Sequence, residues 1–262
     1  MTAYSIWNKK HGVHLQGYNG QKASVSRSLT IVVKQVGHAV LRLEGHDEDY
    51  LITLPSLHIE GLYSGSPFVE LDHHTFIQSS SGFTAKIDYS GRGWLSGKKN
   101  SFTAVLHRTA DPEARPLYSV DGQWTEAFVV HEGKKGGPQI DAWDPQRHAA
   151  TDLVVADVDD QDDIESRRAW LNVAQAIYRG DMDATAHYKG LIEDEQRDLR
   201  RKEREEGTEW ERRYFARAED VEFLERLAEH VSEALEPDKT DGVWRWEEEK
   251  AKAAKAPFST KE

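Results

Sequence analysis

Cysteine is absent from the 262 residues of the chain, so disulfide bonds and thiolate chemistry are excluded. Glycosylation sequons of the Asn-x-Ser/Thr type are absent as well. The first residues show no basic region followed by an apolar run, and apolar runs such as 29–33 are far too short to span a bilayer. These absences predict a soluble protein of a reducing compartment, the cytosol.

An excess of basic residues is also missing. The chain has 34 Lys and Arg against 46 Asp and Glu, which gives a formal net charge of −12. This balance argues against broad nucleic-acid binding and against simple electrostatic adsorption to anionic membranes. We therefore expect any membrane contact to be transient and peripheral, or specific for a lipid head group, and we expect no nucleic-acid partner.

Motifs of nucleophilic catalysis and of phosphate-binding loops do not occur. The sequence has no Gly-x-Ser-x-Gly elbow and no glycine-rich loop that opens a helix. The pair His73-His74 is a poor metal site, because adjacent residues of a strand point to opposite faces. The sequence thus predicts no enzymatic activity, no metal and no cofactor.

Short segments with a period of two dominate the first 145 residues. In Phe83–Tyr89 apolar residues alternate with polar ones, and the same alternation follows Ser101. Gly, Asn and Asp separate the segments at short intervals, for example at Asp121-Gly122. This rhythm is typical of an antiparallel β-sandwich or β-barrel.

A change to helical spacing follows an acidic connector at 156–163. Apolar residues recur at helical spacing in 164–178, with Gly180 where a C-cap would stand, and a second, mostly polar helix is predicted over 183–206, ended by Gly207. A third apolar-periodic segment covers 221–235.

Several ordered blocks of sequence carry a family resemblance. They are Leu51–Gly61, Pro67–Leu71, Gly91–Phe102, Glu165–Trp170 and Glu209–Phe215. With them the chain resembles the lipid-binding domain of the oxysterol-binding-protein family, of the fungal type. The resemblance implies an α+β fold, in which a large antiparallel β-barrel, incomplete at its N-terminal side, is followed by a C-terminal helical subdomain. We expect 1–155 to form the barrel part and 156–262 the helical subdomain of the same domain.

The second predicted helix holds a candidate head-group site. Lys189, Glu193 and Arg197 stand at i, i+4 and i+8, so they share one stripe of the helix. Spacing alone favours an ordinary solvated stripe of i,i+4 ion pairs. The resemblance implies instead that these residues bind the head group of phosphatidylinositol 4-phosphate, with the cations on the phosphate and the carboxylate on inositol hydroxyls.

The β region holds the candidate sterol residues. Without the resemblance, Asn19-Gly20 would be a hairpin turn and Gln35 a polar residue at a rim. The resemblance implies that Asn19 and Gln35 line a deep tunnel and orient the sterol hydroxyl, partly through water, and that Lys22 reaches the tunnel mouth.

Two functions are consistent with the sequence. The first is a monomeric lipid carrier that takes sterol or a phosphoinositide between membranes. The family's lid, helical layer and Ser-His-His-Pro-Pro box would precede Thr2, so the chain is expected to match the C-terminal two-thirds of the domain, through a short gene model or a truncated paralogue. The alternative function is therefore a lipid-incompetent fragment that serves in regulation or interaction.

Overall fold

The computed structural model describes residues 1–26, 30–62, 65–91, 97–150, 152–219, 221–231, 235–236 and 239–254. The chain divides into two compact units. The first comprises Met1–Ala150 and Ala216–Trp246, and the second comprises Thr151–Phe215 and Glu247–Glu262. Residues 92–96, which belong to one of the family-like blocks, lie outside the described residues.

A twelve-stranded antiparallel sheet forms most of the first unit. Its strands are β1 (Thr2–Asn8), β2 (Val13–Val25), β3 (Ile31–Leu43), β4 (Glu48–Thr53), β5 (Ser56–Glu60), β6 (Phe68–Asp72), β7 (His74–Ser79), β8 (Phe83–Tyr89), β9 (Ser101–Arg108), β10 (Tyr118–Gln123), β11 (Phe128–Glu132) and β12 (Gln139–Trp143). The order is β1-β2-β3-β4-β7-β8-β9-β10-β11-β12, while β5 pairs with β3 and β6. Among these described strands no pairing joins β12 to β1, so the sheet is open. The expected antiparallel sheet is confirmed.

The two faces of the sheet differ in burial. Paired residues of antiparallel strands share a face, so the register assigns each side chain. One face, here called the apolar face, carries mostly half-buried aliphatic side chains: Leu15, Leu41, Ile52, Ile77, Ala85, Ile87, Ala104 and Leu106. The other, the helix-covered face, carries buried side chains: Tyr18, His38, Leu51, Phe76, Gln78 and Thr84. The large buried side chains therefore lie on the helix-covered face, whereas the buried residues of the apolar face include the small Ala39, Thr75 and Ser79.

The segment Ala216–Trp246 covers that face. It contains α4 (Glu222–Ala228), which contacts β4 and β7 and buries Leu224 and Leu227. The strand β14 (Trp244–Trp246) contacts β1 and β2 and pairs with β13 (Phe215–Arg217) in a separate two-stranded sheet. The apolar period predicted over 221–235 is thus a helix of seven residues, and 232–234 lie outside the described part of the chain.

Helices dominate the second unit. They are α1 (Ser166–Ala169), α2 (Leu171–Tyr178), α3 (Met182–Glu206) and α5 (Glu248–Ala253). The carboxylate of Asp181 accepts a hydrogen bond from the N–H of Ala184 at 2.9 Å and begins α3, and Gly207, with a φ of 66°, ends it. The helix predicted over 164–178 is interrupted at Trp170, which caps both α1 and α2.

Two of the family-like blocks meet in this unit. The hydroxyl of Tyr214 donates a hydrogen bond to Glu165 at 3.3 Å, and the guanidinium of Arg213 pairs with Asp162. Burial raises the pKa of the Glu165 carboxyl above its ordinary value, against the opposing hydrogen bond from Tyr214. No described helix combines the length and the apolarity that crossing a membrane requires.

Candidate functional site

Asn19 and Gln35 lie side by side on β2 and β3. The amide nitrogen of Asn19 donates to the carbonyl oxygen of the Gln35 side chain at 3.4 Å, and the nitrogen of Gln35 donates to the backbone carbonyl of Pro55 at 2.8 Å. Asn19-Gly20 is therefore not a hairpin turn, since both residues lie inside the thirteen-residue strand β2. The structure brings this predicted pair together.

The backbone opposite Asn19 leaves room for the hydrogen bond between the side chains of Asn19 and Gln35. Gly37 faces Asn19 in the register and has a φ of 111°, and a Cβ atom at Gly37 would stand 2.2 Å from the carbonyl oxygen of Tyr18. Because this position has no side chain, Asn19 can reach diagonally to Gln35. The Asn19–Gln35 pair lies on the apolar face, where polar groups are few.

A polar group of the same face was not predicted from the sequence. Tyr4 lies opposite Gly17 and shares the apolar face with Asn19. Burial raises the pKa of its phenol. The alternation Tyr4-Ser5-Ile6 could have indicated the orientation, because Ile6 points the same way as Tyr4.

Lys22 occupies a different position from the amide pair. The alternation along β2 places it on the opposite face from Asn19, directly across from Lys34 of β3. The side chain of Lys22 is exposed. The ammonium of Lys34 lies 3.8 Å from a carboxylate oxygen of Glu236. The role of Lys22 at a tunnel mouth stays a prediction.

Lys189, Glu193 and Arg197 form one exposed stripe of α3. The ammonium of Lys189 pairs with one carboxylate oxygen of Glu193, and a guanidinium nitrogen of Arg197 lies 3.9 Å from the other. Arg197 also pairs with Asp194 at 3.0 Å. The hydrogen bond from Lys189 is the main cause that lowers the pKa of Glu193.

The stripe is compatible with both sequence interpretations. Two cations and two carboxylates balance in charge, as expected for solvated i,i+4 and i,i+3 pairs. The cations are also half-exposed, so a phosphate could replace Glu193 and Asp194 as their partner at little desolvation cost. The stripe and the amide pair belong to different units.

Comparison with known proteins identifies the family. The family model described as "Oxysterol-binding protein" matches residues 4–255. The chain is 40% identical over 246 residues to Protein kes1 of Schizosaccharomyces pombe, covering 93% of this chain and 62% of the relative. It is 39% identical over 234 residues to Protein KES1 of Mycosarcoma maydis, covering 87% and 59%. The chain thus spans about three-fifths of the length of these relatives.

Solved structures support the fold. The Osh1 ORD domain in complex with ergosterol matches with a TM-score of 0.59 at 12% identity, over 82% of this chain and 63% of that one. The Osh3 ORD from Saccharomyces cerevisiae in complex with PI(4)P matches with a TM-score of 0.58 at 16% identity, over 95% and 63%. The length of the family match and the identity to the kes1 proteins lead to one conclusion: the chain belongs to the oxysterol-binding-protein family.

Proposed function

We propose that this chain binds a single lipid, a sterol or phosphatidylinositol 4-phosphate, and transfers it between membranes, and that the sterol lies against the apolar face of the sheet. The observation that carries the proposal is the apolar face itself. Its aliphatic side chains are mostly half-buried, while the large buried side chains lie on the other face, and its polar groups include the Asn19–Gln35 pair and the phenol of Tyr4. An apolar surface with few polar groups at fixed positions is typical of small-ligand sites.

A sterol would suit this face because it is mostly apolar and carries a single hydroxyl. Covering several hundred Å² of apolar surface corresponds to roughly 10 kcal/mol at about 25 cal/mol per Å². This free energy is comparable with that of burying the sterol in a membrane, so transfer of the sterol between membrane and protein can be nearly neutral in free energy. The side-chain carbonyl of Asn19 makes no hydrogen bond within the described residues, so it can accept one from the single sterol hydroxyl.

For the phosphoinositide, α3 supplies the complementary charge. Lys189 and Arg197 would each form a charge-assisted hydrogen bond to the phosphate, and Glu193 would accept from inositol hydroxyls. Structures of family members with ergosterol and with PI(4)P support these two ligands. The family relationship does not favour the alternative of a lipid-incompetent fragment. We further propose a cytoplasmic monomer that contacts organelle membranes transiently.

The test is a pair of extraction assays on this chain. Fluorescent dehydroergosterol and phosphatidylinositol 4-phosphate are presented separately in neutral vesicles, and the lipid removed is measured. The double variant Asn19→Ala/Gln35→Ala should lower sterol extraction severalfold and spare the phosphoinositide. Lys189→Ala/Arg197→Ala should do the reverse.

Arg201→Ala provides the matched control, because Arg201 lies on the same helix in an exposed pair with Asp198. It should extract both lipids like the unchanged chain. Extraction of neither lipid by the unchanged chain would refute the proposed function. Full phosphoinositide extraction by Lys189→Ala/Arg197→Ala would refute only the head-group assignment.

A further inference from the structure

A pocket lies on the helix-covered face of the sheet, within the first unit. It has a volume of about 220 Å³, which corresponds to on the order of seven water molecules. Its described lining residues come from β2, β3 and β4 and from the covering segment: Gln16, Gly17, His38, Val40, Asp49, Phe223, Leu224, Trp244 and Arg245. It is therefore separate from the apolar face.

His38 is an unpartnered polar group in this pocket. Its side chain is only 3% exposed, and its ring packs edge-on against Tyr18 at 5.0 Å between centroids. Within the described residues its ring nitrogens make no hydrogen bond, and His38 lines the pocket. A neutral imidazole has one N–H donor and one acceptor nitrogen, so His38 offers a ligand in the pocket both.

Arg245 supplies an uncompensated positive charge. Within the described part of the chain its guanidinium forms no ion pair and no hydrogen bond. The pocket also contains Asp49, whose carboxylate lies 2.7 Å from a guanidinium nitrogen of Arg42, and Asp47 pairs with the same guanidinium. Of the charged side chains that line the pocket, Arg245 is thus the one without an ion-pair partner among the described residues.

The walls of the pocket are held rigidly. The indole N–H of Trp244 donates to the carbonyl of Thr240 at 2.9 Å, and the backbone N–H of Trp246 donates to the side chain of Gln16 at 3.0 Å. Trp244 and Leu224 are buried and give one side of the pocket an apolar surface. Charge, hydrogen bonding and apolar contact are thus available in one preformed cavity.

We propose that this pocket binds a small organic carboxylate, whose charged group lies against Arg245 and His38 and whose apolar part lies against Val40, Phe223, Leu224 and Trp244. A carboxylate accepts from a guanidinium and from an imidazole N–H, which are the donors the pocket offers. Its apolar part accounts for the aliphatic and aromatic walls, which a bare inorganic anion would not use. The site is independent of the proposed lipid-binding function.

Hexanoate is a suitable probe, with hexanol and inorganic phosphate as comparisons. Binding is measured by calorimetry and by the NMR signals of the histidine rings. Hexanoate should bind saturably, and hexanol and phosphate at least tenfold more weakly. Bound carboxylate should raise the pKa of His38, which burial and Arg245 hold at about 4 in the free protein.

The variants separate the site from any other surface. Arg245→Gln should weaken hexanoate binding at least tenfold, whereas Arg226→Gln, in an exposed pair on α4, should stay within twofold. Saturating dehydroergosterol should not compete with hexanoate. Absence of saturable binding would overturn the proposal, as would equal binding of phosphate. If sterol competes with hexanoate and Arg245→Gln binds hexanoate like the unchanged chain, hexanoate binds to the apolar face. That result would overturn the carboxylate pocket but would leave the proposed lipid-binding function unchanged.

Discussion

The hydroxyl oxygen of Tyr4 lies 2.6 Å from the point where a Cβ atom on Gly17 would stand. The two residues face each other in the register of β1 and β2, so the ring of Tyr4 crosses the neighbouring strand at a position without a side chain. The same Cβ atom would stand 2.8 Å from the carbonyl oxygen of His38. Gly17 is thus required by the close packing of β1, β2 and β3.

Replacing Gly17 by alanine should destabilise the protein. The added methyl group must displace both the phenol and the backbone of β3, and overpacking of this kind costs about 1–3 kcal/mol. Chemical denaturation measures the loss. Gly45→Ala is the control, because no atom lies within 4 Å of its Cβ position. A Gly17→Ala variant as stable as the control would show that the strands can separate without cost.

Gln78 is a second position where a small change should be costly. Its side chain is almost fully buried. The amide nitrogen donates to the carbonyl of Ser79 and to the hydroxyl of Thr109, both at 3.0 Å. The amide oxygen accepts from the hydroxyl of Thr84 at 2.6 Å. Gln78→Met keeps the volume and removes all three bonds, so the buried partners lose hydrogen bonds at a cost of about 1–3 kcal/mol.

The free energy of unfolding in urea tests this prediction. The exposed Gln146→Met should change stability by less than about 0.5 kcal/mol. If Gln78→Met changed the stability as little as Gln146→Met, water would have to take over the hydrogen bonds that the Gln78 amide makes.

Local elements of the fold were predictable where a local signal exists. The period of two predicted β8 as Phe83–Tyr89, and the glycine at 207 predicted the end of α3 at Glu206. The break at Trp170 had no such signal, because the apolar spacing continues through it. In the same way, the hairpin turn that Asn19-Gly20 would favour without the family resemblance does not form, because pairing along the whole of β2 and β3 overrides the local preference of Asn-Gly.

Long-range contacts explain what sequence reasoning missed. The pocket on the helix-covered face brings Gln16 and His38 together with Phe223 and Arg245, and no periodicity relates residues so far apart. The family resemblance predicted that Asn19 and Gln35 line one tunnel. Their direct hydrogen bond and the free side-chain carbonyl of Asn19 depend on the pairing of β2 with β3, which the sequence alone does not reveal.

Lys22 and Lys34 should repel each other across β2 and β3. Like charges directly opposite destabilise a sheet, and opposite charges contribute roughly 0.2–1 kcal/mol. Lys22→Glu should therefore raise the melting temperature, while Lys22→Gln should give a smaller rise. Both gains should shrink in 1 M salt, where charges are screened within about 3 Å. A lower melting temperature for Lys22→Glu would indicate that Lys22 has a favourable partner.

His38 should make the stability of the protein depend on pH. Burial, and then the charge of Arg245, lower its pKa from 6.5 to about 4 in the folded chain. Between pH 4 and pH 6.5 His38 is protonated in the unfolded chain but neutral in the folded chain. Its contribution to stability is therefore fully present above pH 6.5 and is lost as the pH falls towards 4. For these two pKa values the loss is about 2 kcal/mol at pH 5.

The pH dependence of the free energy of unfolding is compared between His38→Gln and the unchanged chain. The difference separates the contribution of His38 from that of the other eleven histidines. Urea unfolding at pH 7 and pH 5 should show a smaller loss of stability for His38→Gln, by about 2 kcal/mol. The exposed His46→Gln should lose stability with falling pH as the unchanged chain does. Since glutamine does not titrate, an equal loss in His38→Gln would mean that His38 remains accessible to protons in the fold. The pocket would then be too wet to hold a neutral imidazole, and its donor would be an imidazolium.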